Sequence, residues 1–448
     1  MTAHSTPATP ELRPAYPSPA VAWYAVAVLL VAYTNSFIDR TIIALLVQPI
    51  QRDLGIGDTA LSLLHGFAFA IFYTTLGLPI ARLSDRHSRR WIMLVGTVFW
   101  SVMTVLCGLA QKYWQLFLAR VGVGVGEASL SPAAYSLIAD LFPRERLGRA
   151  LGVYSTGVFL GAGLAFVIGG LVVKMVASAD TLTLPLFGDV RPWQATFIVV
   201  GLPGVLIGLL MLTFREPVRH GVTAGVPPGA MFTDLLTFIR SHRRTFLAHF
   251  LGFSLAAVVF NGFVAWGPSQ WIRDFGVDAG YVGVRLGLII LVFGPAGIVC
   301  GGLLADWYSA RGRTDGTMRA GLVGVAGLVL PAVLAPVMPT MPLTLVAYAA
   351  FFFFSSFPYG AAAAALQVVT PNRLRAQVSA LYLLCLNLVG IGLGPTVIAA
   401  IGEYLLGGPE YLGRAMAISA AVVTPLAALV LYWGLAPFRK TASTVTSP

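Results

Sequence analysis

Ala81-Arg82-Leu83-Ser84-Asp85-Arg86-His87-Ser88-Arg89-Arg90 joins two long apolar runs, 59–83 and 90–110. The stretch places a small residue, an aspartate and a basic cluster in one tight turn. A looser copy, Gly302-Leu-Leu-Ala-Asp306 followed by Arg311 and Arg313, closes another apolar run at 280–305. The two aspartates stand 221 residues apart, about half of the 448-residue chain. A basic turn between apolar runs, occurring twice at half-chain spacing, predicts a duplicated membrane protein whose halves form a site at their interface.

Composition agrees. The chain is 57% hydrophobic and 10% charged, with mean hydropathy +0.82, whereas soluble domains carry about 25% charged residues. A soluble enzyme, a disordered tail and a nucleic-acid module are excluded. The net charge of +11 is almost all arginine, since Lys112, Lys174 and Lys440 are the only lysines. These cations sit in short loops and are not interleaved with aromatics in one patch, so no nucleic-acid partner is expected. Cys107, Cys300 and Cys385 each lie alone in an apolar run, which points to packing and to no metal site.

Twelve runs of membrane length follow: 21–50, 59–83, 90–110, 113–141, 147–177, 192–214, 243–272, 280–305, 318–338, 341–371, 374–405 and 411–438. With the N-terminus inside, 20 basic residues fall on inner loops and tails and 7 on outer ones. That asymmetry predicts that both termini are cytoplasmic, in the plasma (inner) membrane. The expected fold is all-α, with twelve transmembrane helices in two pseudo-symmetric six-helix bundles. Its expected parts are a disordered cytoplasmic arm at 1–20, bundles at 21–214 and 243–438, a linker at 215–242 and a tail at 439–448. The proline-rich arm lacks the short apolar core of a signal peptide. In the linker, Gly221 to Gly229 breaks the chain and Met231 to Arg240 is amphipathic.

The Ala81–Arg90 segment resembles the loop signature of the major facilitator superfamily, with Ala81 in place of the usual glycine. Phe37-Ile-Asp39-Arg40, together with Gly126-Glu127-Ala-Ser129 through Ile138-Ala-Asp140-Leu-Phe142, resembles the spinster-like branch of that superfamily. The resemblance implies a secondary transporter working by alternating access on a lysophospholipid or sphingosine-1-phosphate-like lipid, with proton coupling. Gly157, Gly161 and Gly169-Gly170 fit the fifth-helix antiporter pattern, but Ala162 stands where that pattern has proline.

Four ionisable residues fall inside runs: Asp39, Arg40, Arg120 and Glu127. Each costs at least about 2.5–3.5 kcal/mol in hydrocarbon, so partners and a function are expected. The four sum to zero charge. Protonating Asp39 or Glu127 would free a guanidinium, whose planar fork suits phosphate or carboxylate. Arg40, Arg120, Asn35, Asn261 and Asn387 are therefore the expected substrate ligands, and Asp39, Glu127 and His65 the expected proton-coupling groups. A static salt-bridge lattice is the competing reading.

The second half holds no charged residue from Ala320 to Asn372 or from Ala376 to Gly402. Phe351 to Phe354 and Phe357 are expected to form an apolar cleft wall or to face lipid. Asp85, Arg86, Arg89 and Arg90, with Asp140, Asp306, Arg373 and Arg375, are expected to latch the halves together at the cytoplasmic face. Pro132, Pro268, Pro295, Pro358 and Pro395 mark expected kinks. The glycines of Gly122-Val-Gly-Val-Gly126 and Gly157-x-x-x-Gly161 are expected to serve close helix packing. No cofactor beyond a proton gradient is expected, and a monomer among membrane lipids is. No Ser/His/Asp grouping, metal-ligand cluster or phosphate loop indicates an enzyme. Competing functions are a carrier of small organic anions or drugs, and a lipid-binding receptor without transport.

Overall fold

The computed structural model describes residues 16–176, 181–184, 187–219, 228–371 and 374–446. Among these, eleven helices are long and apolar enough to cross a membrane. Hydrocarbon offers no hydrogen bonds, so each crossing satisfies its backbone within a helix. Span 1 covers Pro19–Leu45, span 2 Asp58–Ser84, span 3 Arg89–Cys107 and span 6 Pro192–Thr213. Spans 7 to 10 are Arg243–Phe275, Ala279–Ala310, Gly316–Val337 and Met341–Val369. Span 11 begins at Arg375 and span 12 covers Leu412–Thr446.

The fourth crossing completes the expected twelve, but in two pieces, Tyr113–Glu127 and Leu130–Leu141. The break at Ala128 and Ser129 is where Pro132 withholds its amide from the carbonyl four residues back. Span 5 is likewise stepped at Thr156, between Arg144–Ser155 and Gly157–Val176. The expected tail at 439–448 is helical to Thr446, because Phe438 and Ala442 are buried and Thr441 bonds Thr245 of span 7 at 2.8 Å. A short antiparallel hairpin, β1 (Leu182–Leu184) and β2 (Gly188–Val190), connects spans 5 and 6. The linker's amphipathic stretch forms the helix Pro228–Ser241.

The termini and the linker define one face, called here the terminal face; the opposite one is the far face. Spans 5 and 8 pack across the halves through glycines. A Cβ on Gly287 would lie 2.6 Å from the Gly163 carbonyl, and one on Gly283 2.5 Å from that of Phe166. Spans 2 and 11 meet where Pro395 leaves the Ile391 carbonyl without its helical donor; a Cβ on Gly66 would come within 2.3 Å of that oxygen. One apolar core runs through both halves, including Leu29, Trp100, Phe159, Phe263 and Phe351. A separate one, with Phe246, Phe253, Leu431 and Phe438, fills the terminal-face part of the second half.

The phenylalanines of span 10 are neither cleft wall nor lipid-facing as a group. Phe351, Phe352 and Phe357 are buried within the second bundle, Phe351 stacked on Phe263 at 4.3 Å and Phe352 edge-on to Phe260. Ring-on-ring packing inside the bundle buries more of their surface than either expected position.

Candidate functional site

Span 1 ends by tightening into a 3-10 turn at Ile42–Leu45, and span 2 widens into a π turn at Leu63–Phe67. Such changes of pitch displace carbonyls from their regular donors. Arg120, fully buried, bonds three carbonyls beside these turns: Nη1 donates to the Asp39 carbonyl at 3.1 Å, Nη2 to that of Arg40 at 3.4 Å, and Nε to that of Leu64 at 3.5 Å. Arg120, expected to contact substrate, is thus placed among backbone acceptors. Its fork is spent on the backbone of spans 1 and 2, and it does not line the cavity described below.

The two carboxylates lie beside this brace. Asp39 Oδ2 accepts from Asn35 Nδ2 at 3.1 Å and from Trp100 Nε1 at 3.0 Å. Glu127 Oε2 accepts from Arg40 Nη2 at 2.6 Å. Both groups are buried, and Asp39 Oδ1 and Glu127 Oε1 have no hydrogen-bond partner among the described residues. Asn35, expected to be a substrate ligand, donates to Asp39 and orients it.

Arg40 is the cation left facing open space. Its guanidinium carbon sits 4.2 Å from the Phe69 ring centre, 4.6 Å from Phe37 and 5.2 Å from Tyr73. An arginine bedded on aromatic faces keeps its charge with few hydrogen bonds committed. Arg40 lines a narrow cavity between the halves with Thr41, His65 and Asn261 among Phe37, Val158, Ala162, Phe260, Val264, Ile391 and Pro395. The structure thus brings together Arg40, His65 and Asn261. Asn387 lies one turn away on span 11, half-buried and outside that lining. Next to the cavity, Tyr33 stacks on Tyr154 at 4.5 Å and Tyr154 meets Tyr135 edge-on, an aromatic wall the sequence did not single out.

At the terminal face, the expected latch residues Arg89, Arg90 and Arg375 bond within their own halves. Arg89 Nη1 donates to Asp140 and, at 3.0 Å, to Ser136, and its Nε donates to Glu216 at 3.0 Å. Arg90 donates to the Phe214 carbonyl at 2.9 Å, and Arg375 to the Thr370 carbonyl at 3.1 Å. These bonds fasten spans within one half, because Asp140 and Glu216 offer carboxylates one helix away. Asp306 is exposed. The side chains of Asp85 and Arg86, and Arg373, lie outside the described residues. Burial alone would raise the Glu216 carboxyl, but the Ser88 hydroxyl and the Arg89 amide and guanidinium hold it below the usual glutamate value.

Among the described residues, polar contacts between the halves lie at the far face. Arg273 at the end of span 7 grips Asp58 at the start of span 2 with two bonds of 2.7 Å and reaches Gln51 at 3.2 Å. Glu403 on span 11 accepts from the Thr59 amide at 2.9 Å, capping the N-terminus of span 2. Ser62 meets Thr396 at 3.4 Å. The far face is therefore closed by a bidentate ion pair and a helix cap.

The sequence profile of the Major Facilitator Superfamily matches residues 29–395. The chain belongs to the major facilitator superfamily. It is a membrane transporter and not an enzyme. It is 28% identical to an MFS-type efflux pump of Mycolicibacterium smegmatis over 94% of both chains. It is 31% identical to protein spinster homolog 1 of Homo sapiens over 56% of its own length, a match that spans 46% of that relative. Its fold superposes with TM-score 0.75, at 26% identity, on a bacterial homolog to the human lysosomal transporter Spinster in an inward-facing, unoccupied conformation, covering 96% of this chain and 98% of that one. Within the superfamily it is spinster-like.

Proposed function

We propose that the protein moves an anionic amphipath, such as a lysophospholipid or a sphingoid phosphate, with proton coupling. The observation that carries this reading is the Arg40–Glu127 pair at 2.6 Å on an aromatic bed at the cavity wall. While Glu127 is ionised, it neutralises Arg40. A proton on Glu127 removes that partner, and the guanidinium then takes a phosphate or carboxylate oxygen in its place. Proton and headgroup stabilise the same arrangement, so each favours binding of the other. Asp39, held by Asn35 and Trp100 with one oxygen free, is the second proton site. Phe37, Phe260, Val264 and Ile391 around Arg40 suit the first carbons of a hydrocarbon chain.

In this reading the terminal face is cytoplasmic, supported by the 20-to-7 excess of basic residues. The far-face closure and the likeness to an inward-facing spinster homolog support a cytoplasm-accessible state. The match to an efflux pump along 94% of both chains favours one further reading, a carrier of small organic anions or drugs. Calorimetric titration of purified protein with lysophosphatidate in two buffers of different ionisation enthalpy tests the proposal. Binding should take up about one proton near neutral pH. Tight binding with no proton uptake overturns the coupling, and binding of short organic anions alone moves the assignment to the carrier reading.

A further inference from the structure

Span 1 and span 7 hold equivalent places in the two halves, and their residue count runs in step. Gly55 and Gly276, both in the left-handed region at φ 65° and 63°, end the helices that follow or complete these spans. They stand 221 residues apart, the same offset that separates Asp85 from Asp306. That offset carries Arg40 onto Asn261. Both side chains line the same cavity, so the pseudo-two-fold places a cation on one wall and a neutral amide opposite it.

The amide is oriented and held. Its NH2 donates to the Ala257 carbonyl, one turn back on span 7, at 2.8 Å. A carbonyl only accepts, so this assignment of the two amide heteroatoms follows from chemistry. It leaves Oδ1 as the group not used by the helix. Span 11 presses glycines against the residue: a Cβ on Gly390 would lie 3.3 Å from Nδ2, and one on Gly394 3.3 Å from the Asn261 Cβ. The other second-half residues lining the cavity are Phe260, Val264, Ile391 and Pro395, none of which has a side-chain acceptor.

We propose that Asn261 is a specificity-determining residue whose Oδ1 accepts a hydrogen bond from a hydroxyl or ammonium group placed beside the substrate's anionic group. This rests on the reading of Arg40 as the anion's holder. A headgroup offering only the anion leaves a desolvated acceptor unpaired, which is how a site built for a donor rejects the analogue lacking it. The contact also ties the substrate to both halves, Arg40 in one and Asn261 in the other.

The test compares oleoyl lysophosphatidate, which has a hydroxyl on the carbon next to the phosphate-bearing carbon, with its 2-deoxy analogue, 3-(oleoyloxy)propyl phosphate. Both compete for uptake into proteoliposomes holding the full chain, and the readout is the preference ratio within one preparation. Wild type should favour the hydroxylated probe about 3- to 10-fold. Asn261→Ala should bring the ratio to about 1, while Asn261→Ser should keep much of it, because serine also donates to the carbonyl four residues back and keeps a lone pair free. Equal use of both probes by wild type, with uptake still dependent on Arg40, overturns the role of Asn261 and leaves the anion site standing. A preference that survives in Asn261→Ala overturns it too. Uptake of neither probe overturns the anion site itself, and this inference with it.

Discussion

Arg40 and Glu127 are partners on different helices, 87 residues apart in sequence and 2.6 Å apart in space, while Arg120, on the same helix as Glu127, bonds only backbone carbonyls among the described residues. The two buried arginines therefore do different work. One has a partner that a proton can remove, and the other is a permanent brace.

Their substitutions should separate accordingly. Arg120→Gln removes the bonds that tie carbonyls of spans 1 and 2 to span 4 and should cost about 2–4 kcal/mol of stability. Thermal unfolding in detergent should show this as a drop of many degrees. The double variant Arg40→Gln with Glu127→Gln, which removes the pair without leaving a lone buried carboxylate, should unfold close to wild type and lose substrate binding. Equal instability in both variants would contradict the division of roles.

The far-face clamp gives a second prediction. Asp58→Asn removes the carboxylate that Arg273 grips through two bonds in a largely buried setting, a loss of about 1–3 kcal/mol from the closed far face. A cysteine at Ser62, which meets Thr396 across the halves, should then react about 5- to 100-fold faster with an impermeant maleimide added on the far side. The swap Asp58→Arg with Arg273→Asp should restore slow labelling. Unchanged labelling in Asp58→Asn would remove the clamp from the account.

Acid should loosen the strap after span 6. The folded Glu216 carboxyl titrates below its unfolded value, about 4.3, so its stabilisation is present above that pH and is lost as pH falls through the folded value. In wild type the pairing with Ser88 and Arg89 should persist at neutral pH and fail in strong acid. Glu216→Gln should be less stable than wild type at neutral pH, with the difference shrinking under acid. Hydrogen exchange at the Arg89 amide, which Glu216 accepts at 3.0 Å, reports it directly. A difference that grows as pH falls would have the wrong sign.

The close approach of spans 2 and 11 yields a fourth. A methyl at Gly66 would stand 2.3 Å from the Ile391 carbonyl, so Gly66→Ala must push the spans apart. Far-side labelling of a cysteine at Ser62 should rise in this variant as it does in Asp58→Asn. Labelling as slow as in the parent would mean that the contact yields without opening the face.

The spans were legible in the sequence because hydropathy over about 20 residues is a strong signal that loops do not imitate. Asp39, Arg40, Arg120 and Glu127 stood out for the same reason, as charges inside apolar runs. Which arginine meets which acid was not legible. It turns on the 3-10 turn after Thr41 and the π turn at Leu63–Phe67, where the residue pattern looks like ordinary helix. Nor did Asp58 and Arg273 stand out: 215 residues apart, each reads as a solvated charge at a span end. Asn261 was legible as one of few polar residues in its half, but its pairing with Arg40 needed the cavity to be seen.

The central claim, that a proton on Glu127 frees Arg40 for the headgroup, is tested most directly by lysophosphatidate flux in proteoliposomes with and without an imposed pH gradient, comparing wild type with Glu127→Gln. The expected result is gradient-driven accumulation in wild type, and in Glu127→Gln a flux that persists with a much weaker response to the gradient. Accumulation by Glu127→Gln that follows the gradient as wild type does would contradict it.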